Sequence, residues 1–152
     1  MTPDSLDLTP FDRQLYALLQ QEYTFYQSLY ILLDKQRDFI KYEKDDHLLD
    51  LFAEIERCQR RIKESEEKIS AMQAHDPRKF VAAAANPDIK KLVNSITTLV
   101  KKNIDVVNDN EAQVRTRRDR IKGELDDLRT SAKIMQYIGS PESTPLYVDG
   151  KT

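Results

Sequence analysis

Two long stretches without proline constrain the fold of this chain more than any other feature of its sequence. The six prolines stand at positions 3, 10, 77, 87, 141 and 145, so residues 11–76 and 88–140 contain none. Proline is the strongest breaker of a helix interior, and the chain has only three glycines. The sequence therefore predicts long helices, at about residues 11–42, 46–73 and 87–137.

The residues next to two of the prolines indicate where helices begin. Thr9 and Pro10 are the residue types preferred at the cap and at the first helical position, and the Asn-Pro pair at residues 86–87 repeats this signal. The polar stretch at residues 42–47 predicts a turn between the first two helices, with an aspartate as the candidate cap of the second. The stretch at residues 75–77 gives a weaker start signal of the same kind, and the sequence predicts a short turn around residues 80–85 in the connection before the third helix.

Apolar residues recur at heptad spacing in the first two predicted helices. In the first helix they form three adjacent rows: Phe11, Leu18, Phe25, Leu32 and Phe39; Leu19, Tyr26, Leu33 and Ile40; and Tyr16, Tyr23 and Tyr30. The second helix has one narrower seam, formed by Leu51, Ile55, Cys58, Ile62, Ile69 and Met72. A stripe as wide as that of the first helix must be buried against two neighbouring helices or against a partner.

The third predicted helix combines an apolar row with a companion row that changes character. The apolar row consists of Val93, Val100, Val107, Val114, Ile121, Leu128 and Met135. The companion row begins with Ile89 and Ile96 and is then polar, at Asn103, Asn110, Arg117, Glu124 and Ser131. We expect the first half of this helix to pack in a bundle. The second half would pair with another copy, fray at its end, or offer a surface to a helix of a different protein.

These patterns predict an all-α fold. We expect an elongated antiparallel helical hairpin plus a long third helix, in a coiled-coil-like three-helix bundle, followed by an irregular C-terminal tail. The helical domain would cover residues 1–139, and a flexible docking tail would cover residues 140–152. At about 1.5 Å per residue, the third helix would be about 75 Å long and the first about 48 Å. The third helix should therefore extend past the hairpin.

Charge and hydropathy argue against two classes of partner. The chain has 24 basic and 26 acidic residues and a net charge of −2, which provides no general attraction for nucleic acid. Its one basic cluster, at residues 115–122, is interleaved with acidic residues and has no nearby aromatic residues for base stacking, so we interpret it as a solvated helix face. No apolar run approaches the roughly 20 residues that span a bilayer, and we expect no stable membrane insertion.

The sequence contains no pattern typical of a catalytic or cofactor site. The glycines at 123, 139 and 150 are too scattered for a phosphate-binding loop, and His47 and His75 have no cysteines at metal-ligand spacing. The single cysteine, Cys58, lies in the seam of the second helix, where a buried thiol usually acts as a small hydrophobic group. We expect a soluble cytoplasmic protein that is not an enzyme and needs no cofactor or metal.

Several segments resemble the FlgN-type flagellar export chaperone family. Residues 15–61 are similar to the N-terminal half of these proteins, and the matching positions are Gln36, Arg37, Asp45, Asp46 and Leu48–Leu51. The segment NIDVVNDNEAQV looks like the asparagine-containing third helix of the family, with Asn108 and Asn110 at the matching positions. The end of the chain, TPLYVDGKT, is similar to the tyrosine–glycine tail of many members, although Val148 stands where those tails often have glycine.

The resemblance implies a bacterial cytoplasmic chaperone of the flagellar type III secretion system. Its clients would be the hook–filament junction (hook-associated) proteins, held through their C-terminal helical segments. It would deliver them to the cytoplasmic domain of the flagellar export gate. The resemblance implies neither ATP nor a metal.

Two sets of residues are the candidate sites under this interpretation. The client-binding seam on the third helix would consist of Val107, Asn108, Asn110, Val114, Ile121, Leu128 and Met135. The residues for docking at the export gate would be Leu146, Tyr147, Asp149 and Gly150. Tyr147 offers a large apolar ring with a polar tip, and the Asp-Gly pair after it permits a turn. A tail whose tyrosine has no docking role, or that folds back on the third helix, is the alternative.

Two other functions stay open on the residues alone. A structural coiled-coil protein would self-associate through the wide stripe of the first helix and the apolar row of the third, as a stable, concentration-dependent oligomer without a secretion client. Under the chaperone interpretation, the free chain would form at most a weak homo-oligomer. A helical nucleic-acid adaptor would bind through residues 115–122, with an affinity that falls steeply as salt rises.

Overall fold

A computed structural model describes residues 8–139, which form four α-helices. These are α1 (Pro10–Lys41), α2 (Asp45–His75), α3 (Pro77–Ala84) and α4 (Pro87–Gly139). The all-α prediction is confirmed for the described part of the chain, which contains no strand. The chain separates into two units between Glu111 and Ala112, and α4 contributes residues to both.

Three helices begin at a proline that follows a polar residue, and in each case that residue accepts a backbone hydrogen bond. The Thr9 hydroxyl accepts from the Asp12 amide at 3.1 Å, the Asp76 carboxylate accepts from the Lys79 amide at 3.1 Å, and the Asn86 side chain accepts from the Asp88 amide at 2.9 Å. The first turn of a helix has no internal acceptors for its N–H groups, so these side chains supply them. The second of these caps starts α3 at the weaker of the predicted start signals, in a connection where the sequence predicted a short turn rather than a helix of eight residues.

The turn between α1 and α2 depends on a left-handed residue, Glu43, whose φ is 56°. The Glu43 amide donates to the Ile40 carbonyl at 3.2 Å, and the Lys44 amide donates to the Phe39 carbonyl at 2.8 Å. This pair of bonds closes the end of a helix when the residue after the cap is left-handed, a position that favours glycine. The predicted aspartate cap of α2 is wrong: the N-cap residue is Lys44, which makes no side-chain capping bond.

The core of the first unit consists of two clusters of buried side chains. One cluster contains Leu29, Leu33, Leu51, Ile55, Cys58, Ile62 and Val106. The other contains Leu15, Leu19, Met72, Ala83, Ile89 and Ile96. The first residues of α1 therefore share a cluster with the last of α2, and the later residues of α1 share one with the first of α2. This is the order expected when two helices run in opposite directions.

Within the first unit, α4 is attached to α1 by two buried asparagines. The Asn103 amide donates to the Tyr26 carbonyl at 3.2 Å, and the Asn110 amide donates to the Leu33 carbonyl at 3.1 Å. Both pairs are 77 residues apart in sequence, so this part of α4 runs in the same direction as α1. The buried row of α4 in this unit is the companion row, at Ile89, Ile96 and the two asparagines, whereas Val93 of the apolar row is 41% exposed.

Candidate functional site

The second unit presents a helix with large apolar side chains in contact with solvent. The predicted client-binding residues Val114 and Ile121 are about half exposed, and Leu128 and Met135 are 66% and 68% exposed. They recur every seventh residue, and because an α-helix has 3.6 residues per turn they lie along one line of its surface. Exposed apolar side chains scattered singly are ordinary, but an aligned set is typical of a binding surface.

A second row of small and apolar residues runs beside this line and was missed by the sequence analysis. Leu125 is 49% exposed and stands four residues after Ile121 and three before Leu128; Ala132 repeats the same offset from Leu128 and Met135. Alternating steps of four and three are the spacing of a coiled-coil seam. We call the two rows together the C-terminal apolar face; its residues are Val114, Ile121, Leu125, Leu128, Ala132 and Met135.

Near the C-terminal end of α4, large apolar side chains are also exposed outside the C-terminal apolar face. Ile134, Tyr137 and Ile138 are 52%, 90% and 72% exposed. These residues were absent from the predicted seam because they do not follow its heptad spacing. The apolar surface is therefore widest at the end of the described helix.

The three predicted client-binding residues in the first unit have different surroundings. Val107 is half-buried and packs against the cluster around Val106, and Asn108 is exposed. Asn110 is only 3% exposed, and its amide donates both to the Leu33 carbonyl and to the Gln36 side chain at 3.0 Å. Asn110 thus holds α4 on α1, and Val107 contributes in part.

A row of basic residues borders the C-terminal apolar face. Arg115, Lys122 and Arg129 each follow a residue of the face by one position, and all three are exposed; we call them the basic row. A step of one residue turns about 100° around a helix axis, so the basic row runs along one edge of the face. Arg129 also lies 4.0 Å from the Asp126 carboxylate, one turn earlier on the helix.

The predicted docking residues for the export gate are Leu146, Tyr147, Asp149 and Gly150. They lie outside the described residues 8–139. Their assignment therefore stays a prediction.

A buried carboxyl group lies between α1 and α2. Glu22 is only 7% exposed. Its burial, followed by the neighbouring Glu66 carboxylate, raises its pKa from 4.5 to about 7. Glu66 accepts a hydrogen bond from the Tyr26 hydroxyl at 3.0 Å, and burial together with that bond raises the pKa of Tyr26. Protonation of Glu22 is therefore coupled to the packing of α1 against α2.

Cys58 has the surroundings of a structural residue. Its side chain is buried in the first-unit core, and its thiol donates to the Phe25 carbonyl at 3.2 Å. Burial raises the pKa of this thiol, which reduces the fraction of the reactive thiolate. The geometry agrees with the packing role expected from its seam position.

Within residues 8–139, no three histidine, cysteine or acidic side chains come together in a group that could hold a metal ion. None of the helices described for this chain has a segment long and apolar enough to cross a membrane. Comparison of the sequence with protein-family models, with curated proteins and with solved structures finds no match in any of the three. The resemblance to FlgN-type chaperones therefore rests on the residues that were matched to that family.

Proposed function

We propose that this protein is a secretion chaperone that holds an amphipathic helix of a client protein on the C-terminal apolar face of α4. The observation that supports this proposal is the exposure of an aligned apolar surface on a helix: Leu128 and Met135 are each about two-thirds exposed. A helix with a complementary apolar stripe would bury both surfaces, as in other helix-in-groove and coiled-coil complexes.

The client and the pathway come from the resemblance to FlgN-type chaperones. On that basis the clients are the C-terminal helical segments of hook–filament junction proteins, and the receiving partner is the cytoplasmic domain of the flagellar export gate. The protein would act in the bacterial cytoplasm, and binding between apolar surfaces requires neither a cofactor nor catalysis. The tail residues around Tyr147 would provide the second contact, with the gate.

The proposal also includes the finer arrangement of the fold predicted from the sequence. In an elongated antiparallel hairpin with a long third helix, the helical residues up to Glu111 would form the bundle. The remaining helical residues would then serve a partner. The hydrogen bonds that the amide N–H groups of Asn103 and Asn110 donate to α1 support the first part of this division, because these buried donors are paired within the bundle rather than with a client.

The direct test is a binding titration monitored by light scattering. The chain would be mixed with the C-terminal segment of a hook–filament junction protein, as the full-length form and as a form truncated at Ser140. We expect a defined complex with both forms, since the apolar face precedes the truncation. The double variant Ile121→Asp, Leu128→Asp should lose client binding, because two charges would be buried without partners.

The matched control places the same two charges on the other side of the same helix. Thr116 and Thr130 are both exposed there, and Thr116→Asp, Thr130→Asp should bind the client normally. Circular dichroism must show that both double variants retain their helices. If the chain forms a stable oligomer that only the Ile121, Leu128 variant dissolves, and no client binds, the structural coiled-coil alternative replaces the chaperone.

A further inference from the structure

We propose that the helix bound on the C-terminal apolar face carries acidic side chains along the edge that meets the basic row, and that these charges select it over a second copy of this chain. This inference rests on the proposed function, because it describes the partner of the same surface. It gives a role to part of the basic cluster at residues 115–122, which the sequence analysis interpreted as solvated.

One edge of the C-terminal apolar face carries a basic side chain in each of three heptads. Three successive heptads place Arg115, Lys122 and Arg129 next to Val114, Ile121 and Leu128. The opposite edge is mixed, since the equivalent row there is Arg117, Glu124 and Ser131. In coiled coils, the residues that flank the apolar seam determine which partner is accepted and in which orientation.

The same charges disfavour antiparallel pairing between two copies of the helix and give parallel pairing no net electrostatic gain. In an antiparallel pair, the basic row of one copy would face the basic row of the other, which places like charges together. In a parallel pair it would face the mixed row, where the charges of Arg117 and Glu124 offset each other. A different helix with aspartate or glutamate at the flanking positions would instead complement all three basic side chains.

The intrahelical ion pair of Arg129 does not remove this preference. The Arg129–Asp126 separation is 4.0 Å, and both side chains are more than half exposed. Exposed ion pairs of this kind contribute little to stability. Arg129 can therefore exchange Asp126 for a carboxylate of the partner at little cost.

Two synthetic peptides test the inference with the full chain. Both would be four-heptad amphipathic helices with the same leucine seam; one carries glutamate at the flanking positions and the other lysine. At about 0.05 M salt we expect the glutamate peptide to bind about tenfold more tightly or better, because three favourable pairs replace three unfavourable ones. At about 0.5 M salt the difference should shrink severalfold, since the Debye length becomes comparable to the charge separation.

Charge reversal on the protein provides the complementary test. The triple variant Arg115→Glu, Lys122→Glu, Arg129→Glu should prefer the lysine peptide. A control with the same change in net charge, Lys90→Glu, Lys101→Glu, Lys102→Glu, alters exposed lysines in the first unit and should keep the preference for glutamate.

The outcomes distinguish a failure of the charge selection alone from a failure of the apolar docking site. Equal binding of the two peptides, or the same preference in both triple variants, overturns the charge selection and leaves the apolar docking site in place. If neither peptide binds, both proposals are overturned. A chain that dimerises through Ile121 and Leu128 at low salt also overturns the inference, because a second copy would then be accepted despite the basic row.

Discussion

The protonation of Glu22 provides the most quantitative prediction for this protein. The side chain is 7% exposed, and the titratable group that acts on it is Glu66 from α2. In the unfolded chain the carboxyl would titrate near its ordinary pKa of 4.5, whereas in the fold its burial, followed by the repulsion of Glu66, raises its pKa to about 7. The folded state therefore binds more protons between these two pH values, and its stability must fall as the pH rises through that range.

The size of the effect follows from the difference between the two pKa values. One pKa unit corresponds to about 1.4 kcal/mol, so the full difference would cost about 3 kcal/mol of unfolding free energy above pH 7. Glu66 is exposed to solvent, which screens part of its repulsion. We therefore expect the unfolding free energy to fall by about 2–3 kcal/mol between pH 4.5 and pH 8. Well below pH 4.5, Glu22 is protonated in both states and adds no further dependence of stability on pH.

The variant Glu22→Gln removes this dependence while keeping a hydrogen-bond donor for Glu66. Urea unfolding followed by circular dichroism at pH 4.5 and pH 8 measures the effect. At pH 8 the variant should be more stable than the wild type by about 2–3 kcal/mol, and at pH 4.5 the two should be nearly equal. The control Glu56→Gln removes an exposed carboxylate from α2 and should change stability little at either pH. A Glu22→Gln advantage that is absent at pH 8, or equally large at pH 4.5, would refute the reasoning.

Three further substitutions test the bundle and the helix of the second unit. Asn110→Ala removes both hydrogen bonds to α1 and should lower the unfolding free energy by about 1–3 kcal/mol in urea; an unchanged midpoint would contradict the role of this amide. Glu43→Gly relieves the left-handed backbone at φ 56° and should raise the unfolding free energy by about 1 kcal/mol in thermal melts. At Gly123 an added Cβ would meet nothing within 4 Å, so Gly123→Ala should stabilise the surrounding helix by up to about 1 kcal/mol. Slower amide hydrogen exchange at residues 116–130 would show this, and faster exchange would exclude it.

The ends of the helices could be predicted because they depend on neighbouring residues. Thr9 accepts a hydrogen bond from a residue three positions away, and Asn86 from one two positions away; each precedes a proline that cannot continue a preceding helix. The start of α2 was harder because no side chain caps it. Its position follows from the left-handed Glu43, a conformation that the residue type itself disfavours.

The candidate surface was only partly visible in the sequence. A heptad row such as Val114, Ile121, Leu128 and Met135 follows directly from residue spacing. Leu125 was overlooked because only two heptad rows of this helix were followed and Leu125 belongs to neither, although its steps of four and three from Ile121 and Leu128 were present in the sequence. The basic row could likewise be read from spacing, once the apolar residues beside it were known to be exposed.

By itself, the sequence determined that this chain is helical and that its apolar residues form long rows, because proline positions and side-chain periodicity act through local backbone geometry. The tertiary structure alone decided which polar residues are buried. Asn103 and Asn110 pair with carbonyl groups 77 positions earlier, and Glu22 meets a carboxylate 44 positions later, on α2. The burial of a polar group depends on partners that only folding brings within hydrogen-bond distance, and residue type alone does not specify those partners.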